Sequence, residues 1–341
     1  MVQLVVYSAF YKLVDLFSAQ NPLRPRPLRP KQVARLPPYQ HDDHSKTTMT
    51  DSTDSLAKLR LEIDQIDDAA HDLFLRRAEI VQNIAKAKAK DHPDAPVFAI
   101  RPGREANIMR RLMDRHTGAF PKAAIGRMWR ELITASSCLQ GPFEVAIYGS
   151  GDPSGFHDVA RWHFGSVAPS AQYNTAGQVL QRVGEGKGVV GVLPFPGGGD
   201  PGGDWWPALA HVQMSGASMQ DRKNIRIVAR LPFLRTGGQN ICDAAVVAPI
   251  DREDTGQDIS ILLAYCRNEM SRAAVRRLLV ASGIECTPLD TGKVDKRLML
   301  FEASGYIADN DFRLVRAVAS DEKLLESLVV AGGYAVPLQL T

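Results

Sequence analysis

The most regular pattern of apolar residues in this chain runs from residue 56 to residue 87. Apolar side chains recur there at steps of three and four, the period of one face of an α-helix. The pattern predicts a single helix over residues 55–90, about 50 Å long at 1.5 Å per residue, with Asp54 or Ser55 as its N-cap. The apolar positions are Leu56, Leu59, Ile63, Ile66, Ala70, Leu73, Ile80, Ile84 and Ala87.

One charged residue interrupts this apolar face. Arg77 occupies the position between Leu73 and Ile80 at which the pattern calls for an apolar side chain. A guanidinium in an apolar interface costs several kcal/mol unless an anion meets it. Either the face opens to water at Arg77, or the helix holds an anionic partner within its own core.

Two shorter helices are expected after the long one. Residues 91–103 break the first helix with three prolines and a glycine. A second helix is predicted from near Arg104, and a third from about Lys122 to Gln140. The long helix cannot bury its apolar face against these two alone, so we expect an intertwined helical homodimer. The inward positions predicted for the short helices are Ile108, Met109, Leu112, Ile125, Met128, Trp129, Leu132 and Ile133.

From Phe143 onward the pattern changes to short apolar runs separated by helical stretches. Such alternation is typical of an α/β architecture. The strand candidates are residues 143–149, 188–195, 225–231 and 243–250, and continuous runs such as GVVGVLPF suit a buried sheet. Further along, residues 271–290 predict a helix and a strand, and residues 298–320 predict a strand, a turn and a helix.

Composition and charge exclude several classes of function. The chain has 341 residues, enough for two or three domains, and a net charge of +3, too small to argue for a nucleic-acid partner. No apolar run reaches the roughly 18 residues of a membrane span. The four cysteines are scattered without a CxxC pair, which favours free thiols over a disulfide framework or a zinc site. We therefore expect a cytoplasmic protein without membrane or metal.

The first 50 residues differ from the rest of the chain. They begin with a mildly apolar stretch that reads poorly as a secretion signal, and continue as a link rich in proline and arginine. We interpret residues 1–50 as a disordered or mis-called extension, and Met49 rather than Met1 as the true start. The sequence HDDH at 41–44 is not expected to bind a metal in such a link. Intact-mass measurement of the native protein would decide between the two starts.

Polar residues in the three predicted helices suggest a binding site. Arg77 and Lys88 are 11 residues apart, so they share one helix face at a separation of about 16 Å. Arg104 and Glu105 open the second helix, and Ser136 and Gln140 lie one turn apart near the end of the third. The set contains cations, neutral hydrogen-bonding groups and one carboxylate, but no histidine and no pair of nucleophile and base. It suits binding of a small polyanion, or catalysis by positioning and charge stabilisation alone.

These spacings resemble the all-helical chorismate mutase domain found at the N-terminus of bifunctional chorismate mutase–prephenate dehydratases. The resemblance covers residues 55–140. LRLEIDQID at 59–67 is similar to the opening of that family, and Arg77 and Lys88 fall at its core arginine and lysine. REANIM at 104–109 and SSCLQ at 136–140 match its other two motifs. The resemblance implies rearrangement of chorismate to prephenate without a cofactor or a covalent intermediate.

The resemblance also implies a role for each residue. Arg77 would hold one carboxylate of chorismate, and Arg60 from the partner chain the other, because guanidinium groups bind carboxylates bidentately. Lys88 and Gln140 would meet the negative charge that develops on the ether oxygen. Glu105 would take the substrate hydroxyl, and Ser136 and Arg104 would help to fix a carboxylate. One position departs, since Arg101 stands where the family often has an aspartate.

The second half resembles a prephenate dehydratase domain over residues 142–257 and an ACT domain over residues 258–341, after a helical domain at 51–141. The resulting fold class is all-α, then periplasmic-binding-protein-like α/β, then α+β. GVVGVLPF is similar to a dehydratase segment, but PFPGGGDPGGD and ARLPFLR replace the family's E-N-S and T-R-F. We therefore expect no dehydratase activity, although Arg230 or Arg235 could still bind a carboxylate.

Two other interpretations remain open. The protein could be a non-catalytic ligand sensor that uses the helical fold as a dimer platform. It could also be a bifunctional enzyme that retains some dehydratase activity. The presence of Arg60, Arg77, Lys88, Glu105 and Gln140 favours the mutase.

Overall fold

The computed structural model describes residues 47–91, 99–149, 154–185, 188–199, 201–214, 225–237, 242–321 and 323–340. The predictions for residues 1–46, including the HDDH sequence, lie outside these ranges. The chain divides into two compact units, residues 1–65 and residues 66–341. None of the helices in the described part is both long and apolar enough to cross a membrane.

The long helix, α1, spans Thr47–Asp91 and has 45 residues. It begins earlier than predicted, so the assignment of Asp54 or Ser55 as its N-cap is wrong. An N-cap contributes only about 1 kcal/mol, and no glycine or proline lies between residues 47 and 91 to stop the helix. Asp54 lies inside the helix, where its carboxylate pairs with Lys58 Nζ at 3.0 Å.

The apolar face of α1 is exposed in the single chain. Leu73 is 65% exposed and Ile80 52%, and most of the other predicted apolar positions are exposed as well. The side that packs within the second unit carries Ala78, Val81 and Ala85 instead. At 100° per residue, Arg77 and Lys88 are each rotated by about 45° around the helix axis from the apolar face. They therefore lie between the two sides.

The two short helices are α2 (Pro102–Arg115) and α3 (Lys122–Cys138). Proline is tolerated at the start of α2, where its missing N–H would have no partner inside the helix. Met109 of α2 and Ile133 of α3 are buried as predicted, but Met128 is 49% exposed. The buried side of α3 is displaced toward Gly126 and Arg130, because α3 packs against residues Phe233 and Leu234 of the second half.

The second half forms α/β structure, as predicted. Its strands are β1 (Glu144–Tyr148), β2 (Ser170–Tyr173), β3 (Val189–Pro194), β4 (Arg226–Leu231), β5 (Leu234–Thr236), β6 (Ala244–Ala248), β7 (Asp258–Cys266), β8 (Cys286–Thr291), β9 (Leu298–Ser304), β10 (Leu325–Ala335) and β11 (Leu338–Leu340). Its helices are α4 (Ser154–Phe164), α5 (Ala176–Glu185), α6 (Pro207–Met214), α7 (Arg272–Ala281) and α8 (Phe312–Ser320).

Within the described residues, nine strands form one mixed sheet in the order β2-β1-β3-β6-β4-β10-β7-β9-β8. The continuous apolar runs of the sequence become β3 and β6, which are buried along their whole length. β5 and β11 form a separate parallel pair against α2 and α3. Neither of these two short strands was predicted, because three residues are too few to show a period.

The last part of the sheet has its own topology. From β7 to β10 the elements follow the order β-α-β-β-α-β, with β7 and β9 in the middle of the strand order β10-β7-β9-β8. This is the element order predicted for residues 258–341. A separate apolar cluster lies between these strands and the helices α7 and α8. The part joins the rest of the sheet where β10 pairs with β4 in parallel through Gly332 and Ile227.

Candidate active site

Arg77 is bonded to a neutral group. Its Nη1 donates to Ser136 Oγ, and that hydroxyl donates in turn to the carbonyl oxygen of Leu132 at 2.6 Å. No carboxylate in the described part of the chain pairs with Arg77. Burial lowers the pKa of the Arg77 guanidinium, and the positive charge of Arg104 lowers it further.

Lys88 reaches the same end of α3. Its Nζ donates to Gln140 Oε1 at 3.4 Å, and Gln140 Nε2 donates to the carbonyl oxygen of Ser136 at 3.2 Å. Gln140 lies two residues beyond Cys138, the last residue of α3, and its backbone N–H donates to Ser137 O at 3.0 Å. This turn fixes the amide beside the lysine. Arg77 and Lys88 thus converge from points about 16 Å apart on α1 toward partners four residues apart.

The Glu105 carboxylate is held by two hydrogen bonds. Its Oε2 accepts a hydrogen bond from Arg130 Nη1 at 3.1 Å, and its Oε1 accepts from the backbone N–H of Arg101 at 3.3 Å. The side chains of Arg130 and Glu105 are 3% and 13% exposed. Burial lowers the pKa of Arg130, while the Glu105 charge opposes that shift. The role predicted for Glu105 toward substrate stays a prediction.

Arg130 is a residue that sequence reasoning missed. It lies on the buried side of α3, where it stacks at 5.3 Å over the ring of Phe233 and supports Glu105. Its position four residues after Gly126 and three before Ile133 was the available signal. A buried arginine at such a position requires a carboxylate nearby.

Arg60 lies on an exposed turn of α1, in the first compact unit. Its predicted role in a partner's site stays a prediction. The second unit joins Arg77 to Ser136 and Lys88 to Gln140, so both cations have neutral partners among the described side chains. The positive charge of Arg104 also acts on Arg77. Such a set can bind a small dianion, and can stabilise negative charge that develops during a reaction.

A second group of arginines lies in the α/β part. Arg230 Nη2 donates to Asp243, its Nη1 donates to Tyr334 Oη at 3.1 Å and to Glu302 Oε1 at 3.3 Å, and its guanidinium stacks at 4.1 Å over Phe195. Arg235 Nη2 donates to the other oxygen of Asp243 at 2.7 Å. Burial and the nearby Glu302 carboxylate raise the pKa of the Tyr334 hydroxyl. Unlike the cations beside α3, both arginines are paired with carboxylates.

Part of the helical region is similar to a known family. Residues 59–141 match the family model described as chorismate mutase type II. This match confirms the predicted resemblance to a chorismate mutase.

Two curated relatives join a mutase to a dehydratase. The chain is 32% identical over 145 residues to the bifunctional chorismate mutase/prephenate dehydratase of Pseudomonas aeruginosa, covering 41% of this chain and 39% of the relative. The corresponding protein of Stutzerimonas stutzeri is 31% identical over 144 residues, with the same coverage. The chain thus spans about two fifths of the length of the curated relatives it matches. These matches confirm the resemblance to a fused mutase.

A solved structure of prephenate dehydratase from Streptococcus mutans also aligns with the chain. The alignment covers 58% of this chain and 100% of that chain, at a TM-score of 0.39 and 17% sequence identity.

Proposed function

We propose that the helical domain is a chorismate mutase, which rearranges chorismate to prephenate. The observation that carries the proposal is the convergence of Arg77 and Lys88 on one end of α3, where Ser136 and Gln140 are their partners and no carboxylate of the described residues neutralises either cation. Chorismate is a dianion, and its rearrangement needs no nucleophile and no proton transfer. The site residues and the reaction therefore require the same chemistry.

Each residue acts on one part of the substrate. Arg77 binds one carboxylate through its guanidinium, and Arg104 and Ser136 help to fix it. Within one molecule, the ether C–O bond breaks while a new C–C bond forms, and negative charge gathers on the ether oxygen. Lys88 Nζ and Gln140 Nε2 are the donors for that oxygen, so their contribution is larger in the transition state than in the ground state. Glu105 takes the substrate hydroxyl.

A homodimer completes this proposal. The face of α1 that carries Leu73, Ile80 and Ile84 is exposed in the single chain. Contiguous apolar surface on this scale marks an association site, and a second copy of α1 matches it. Arg60 of the partner chain then holds the second carboxylate.

Loss of chorismate absorbance with purified protein tests the proposal directly. We expect protein-dependent loss of chorismate with equal formation of prephenate. The Lys88→Ala variant serves as the matched control, since it removes the cation while leaving the fold. Absence of turnover by the wild-type protein, with chorismate still bound, would favour the ligand sensor instead.

For the second half we propose that no active dehydratase remains. The two arginines available to bind a carboxylate, Arg230 and Arg235, are already paired with Asp243 and Glu302. A substrate carboxylate would have to displace these half-buried partners. The segment ARLPFLR also offers no hydroxyl to help the leaving group depart. The product is then prephenate, released without further conversion in the cytoplasm.

The relatives that are bifunctional make dehydratase activity the second candidate. The test is incubation of purified protein with prephenate at neutral pH, followed by measurement of phenylpyruvate at alkaline pH. We expect no formation above the spontaneous rate. Protein-dependent phenylpyruvate that disappears in an Arg230→Ala variant would instead support a bifunctional enzyme.

A further inference from the structure

The first turn of α2 has no side-chain cap of its own. Its N-cap residue, Arg101, makes no side-chain cap hydrogen bond. The first backbone N–H groups of a helix have no partner inside it, and a side-chain oxygen normally accepts from the second or third of them. Here the N–H of Arg104 donates to Oε2 of Glu253 at 3.0 Å. The cap of α2 thus comes from the loop between β6 and β7.

The other oxygen of Glu253 binds the residue that precedes the helix. Arg101 Nε donates to Oε1 at 2.8 Å, and Arg101 Nη2 contacts the same oxygen. The Arg101 side chain is 53% exposed, and an exposed ion pair contributes little to stability. A carboxylate that accepts from first-turn N–H groups, by contrast, is favoured by the helix dipole. The bond to the Arg104 backbone is therefore the more important of the two.

The loop and the helix are closely fitted. A Cβ atom on Gly103 would lie 2.8 Å from Glu253 Cβ and 3.2 Å from both Glu253 O and Thr255 Cγ2. Two turns later, Arg110 donates to Thr255 Oγ1 and to Gln257 O, each at 2.9 Å. These contacts therefore make the position of the start of α2 depend on the position of residues 253–257.

We propose that Glu253 is a positioning residue for the mutase reaction. It holds the backbone N–H of Arg104 in the first turn of α2, and so determines the point from which the Arg104 side chain extends. The inference rests on the proposed function, in which Arg104 helps to fix a substrate carboxylate. It also gives Arg101 a role, because the cation at the position of the family aspartate binds the carboxylate that caps the helix. The second half of the chain thereby contributes to the site in the helical domain.

The experiment measures KM and kcat for chorismate separately. In Glu253→Ala we expect KM to rise about tenfold and kcat to change less than about twofold, since a carboxylate contact is made in the ground and transition states alike. Arg101→Ala should raise KM only about twofold. Gly103→Ala removes no carboxylate but wedges the loop away, so it should resemble Glu253→Ala. Glu269→Ala, at an exposed glutamate, and Arg111→Ala, at an exposed arginine of α2, are the matched controls.

A double substitution isolates the route of the effect. In an Arg104→Ala background, Glu253→Ala should add no further increase in KM, because the two changes remove the same contact. Additive effects would overturn the proposal, and so would a fall in kcat at constant KM, which indicates only a smaller folded fraction. Circular dichroism melting checks folding. If Glu253→Ala does not fold, Glu253→Gln and Gly103→Ala carry the same test.

The same measurements distinguish a failure of the proposed function from a failure of the positioning role. Wild-type protein that does not convert chorismate overturns the proposed function. Wild-type protein that converts chorismate, with unchanged KM in Glu253→Ala and Gly103→Ala, overturns only the positioning role.

Discussion

Two groups of cations in this protein are built differently. Beside α3, Arg77 donates to a hydroxyl and Lys88 to an amide. In the α/β part, Arg230 and Arg235 donate to the carboxylates of Asp243 and Glu302. Both groups are half-buried, so desolvation acts on each. They differ in whether the positive charge is already neutralised.

The difference separates a site from a structural cluster. A buried cation without a counter-ion is costly, and Arg77 carries that cost in its lowered pKa. The cost is recovered when an anion binds. The Arg230 cluster has no such deficit, so an incoming anion gains little from it. Neutral partners around a half-buried arginine are thus the informative feature of the helical domain.

Removal of the un-neutralised cations should have the largest effect. We expect Arg77→Ala and Lys88→Ala each to lower kcat/KM for chorismate by at least about 10²-fold, the scale of losing one charge-stabilising donor. Folding should persist, because these side chains contribute charge rather than packing. Lys90→Ala, at an exposed lysine on the same helix end, is the control. Near-wild-type kcat/KM in both variants would contradict the proposed roles of Arg77 and Lys88 in the reaction.

Removal of a neutralised cation should affect stability instead. Arg230→Met leaves Asp243 and Glu302 half-buried with fewer partners, which should lower the free energy of unfolding by about 2–4 kcal/mol. The mutase kcat/KM should not change. Urea denaturation and the chorismate assay on the same preparation check both statements. Arg272→Met, at an exposed arginine, is the reference, and an Arg230 variant as stable as this control would contradict the structural role.

The buried imidazole of His163, which senses the charge of Arg130, should make the free energy of unfolding depend on pH. Burial, and then the charge of Arg130, hold the pKa of His163 well below 6.5. The folded state therefore keeps His163 neutral while the unfolded chain takes up a proton below about pH 6.5. Above about pH 6.5, His163 therefore does not change the free energy of unfolding. Below that pH, the free energy of unfolding decreases by up to about 1.4 kcal/mol per pH unit.

Comparison of His163→Phe with the wild type isolates the effect of His163 on the pH dependence of stability. Urea denaturation at pH 7.5 and pH 5 should show a smaller loss of stability in the variant than in the wild type. His157→Phe, at a partly exposed histidine, should keep the wild-type difference. Equal losses in all three proteins would show that His163 does not stay neutral.

The proposed role of Arg60 in a partner's site can be tested by mixing two inactive variants. If Arg60 acts across the dimer interface, Arg60→Ala and Lys88→Ala chains should recover activity on exchange, because one of the two sites in each heterodimer is intact. Random exchange restores about a quarter of the sites. Lack of recovery, with exchange shown by native mass spectrometry, would place Arg60 outside the partner's site.

The smallest effect is expected from pH on catalysis itself. In the proposed mechanism the donors at the ether oxygen are Lys88 and the amide of Gln140, and an amide does not ionise. The rate of chorismate conversion should stay roughly flat from pH 5 to pH 8. A steep change between pH 5 and pH 7 would implicate a carboxylate or histidine in the chemical step.

The sequence predicted those features that depend on local period and spacing. Fixed spacings placed Arg77 with Lys88 on one face of α1, and Ser136 with Gln140 on one face of α3. The resemblance to a chorismate mutase domain then put the two pairs in one site. The buried strands β3 and β6 followed from continuous apolar runs. The contacts of Arg77 with Ser136 and of Lys88 with Gln140 agree with this grouping, while the roles of these residues toward a substrate, and that of Arg60, stay predictions.

Contacts between distant segments were not predictable in this way. Nothing near Arg101 in sequence indicates that Glu253 would bind it, and nothing near Arg130 indicates its partner Glu105. The short strands β5 and β11 redirect the buried side of α3 away from Met128. Such features depend on how elements meet after folding, which local period does not encode.

The contact between β4 and β10 has a further consequence. A Cβ at Gly332 would lie 2.2 Å from Ile227 O and 2.5 Å from Ile227 N, and the φ angle there is +148°. The two parts of the sheet therefore join at a position that accepts only glycine. Because hydrogen bonding continues from β4 to β10, the sheet should unfold in a single cooperative transition. We do not expect its two parts to unfold separately. Severing the chain after β6 would expose the edge of β4, and the separated piece would be prone to aggregate.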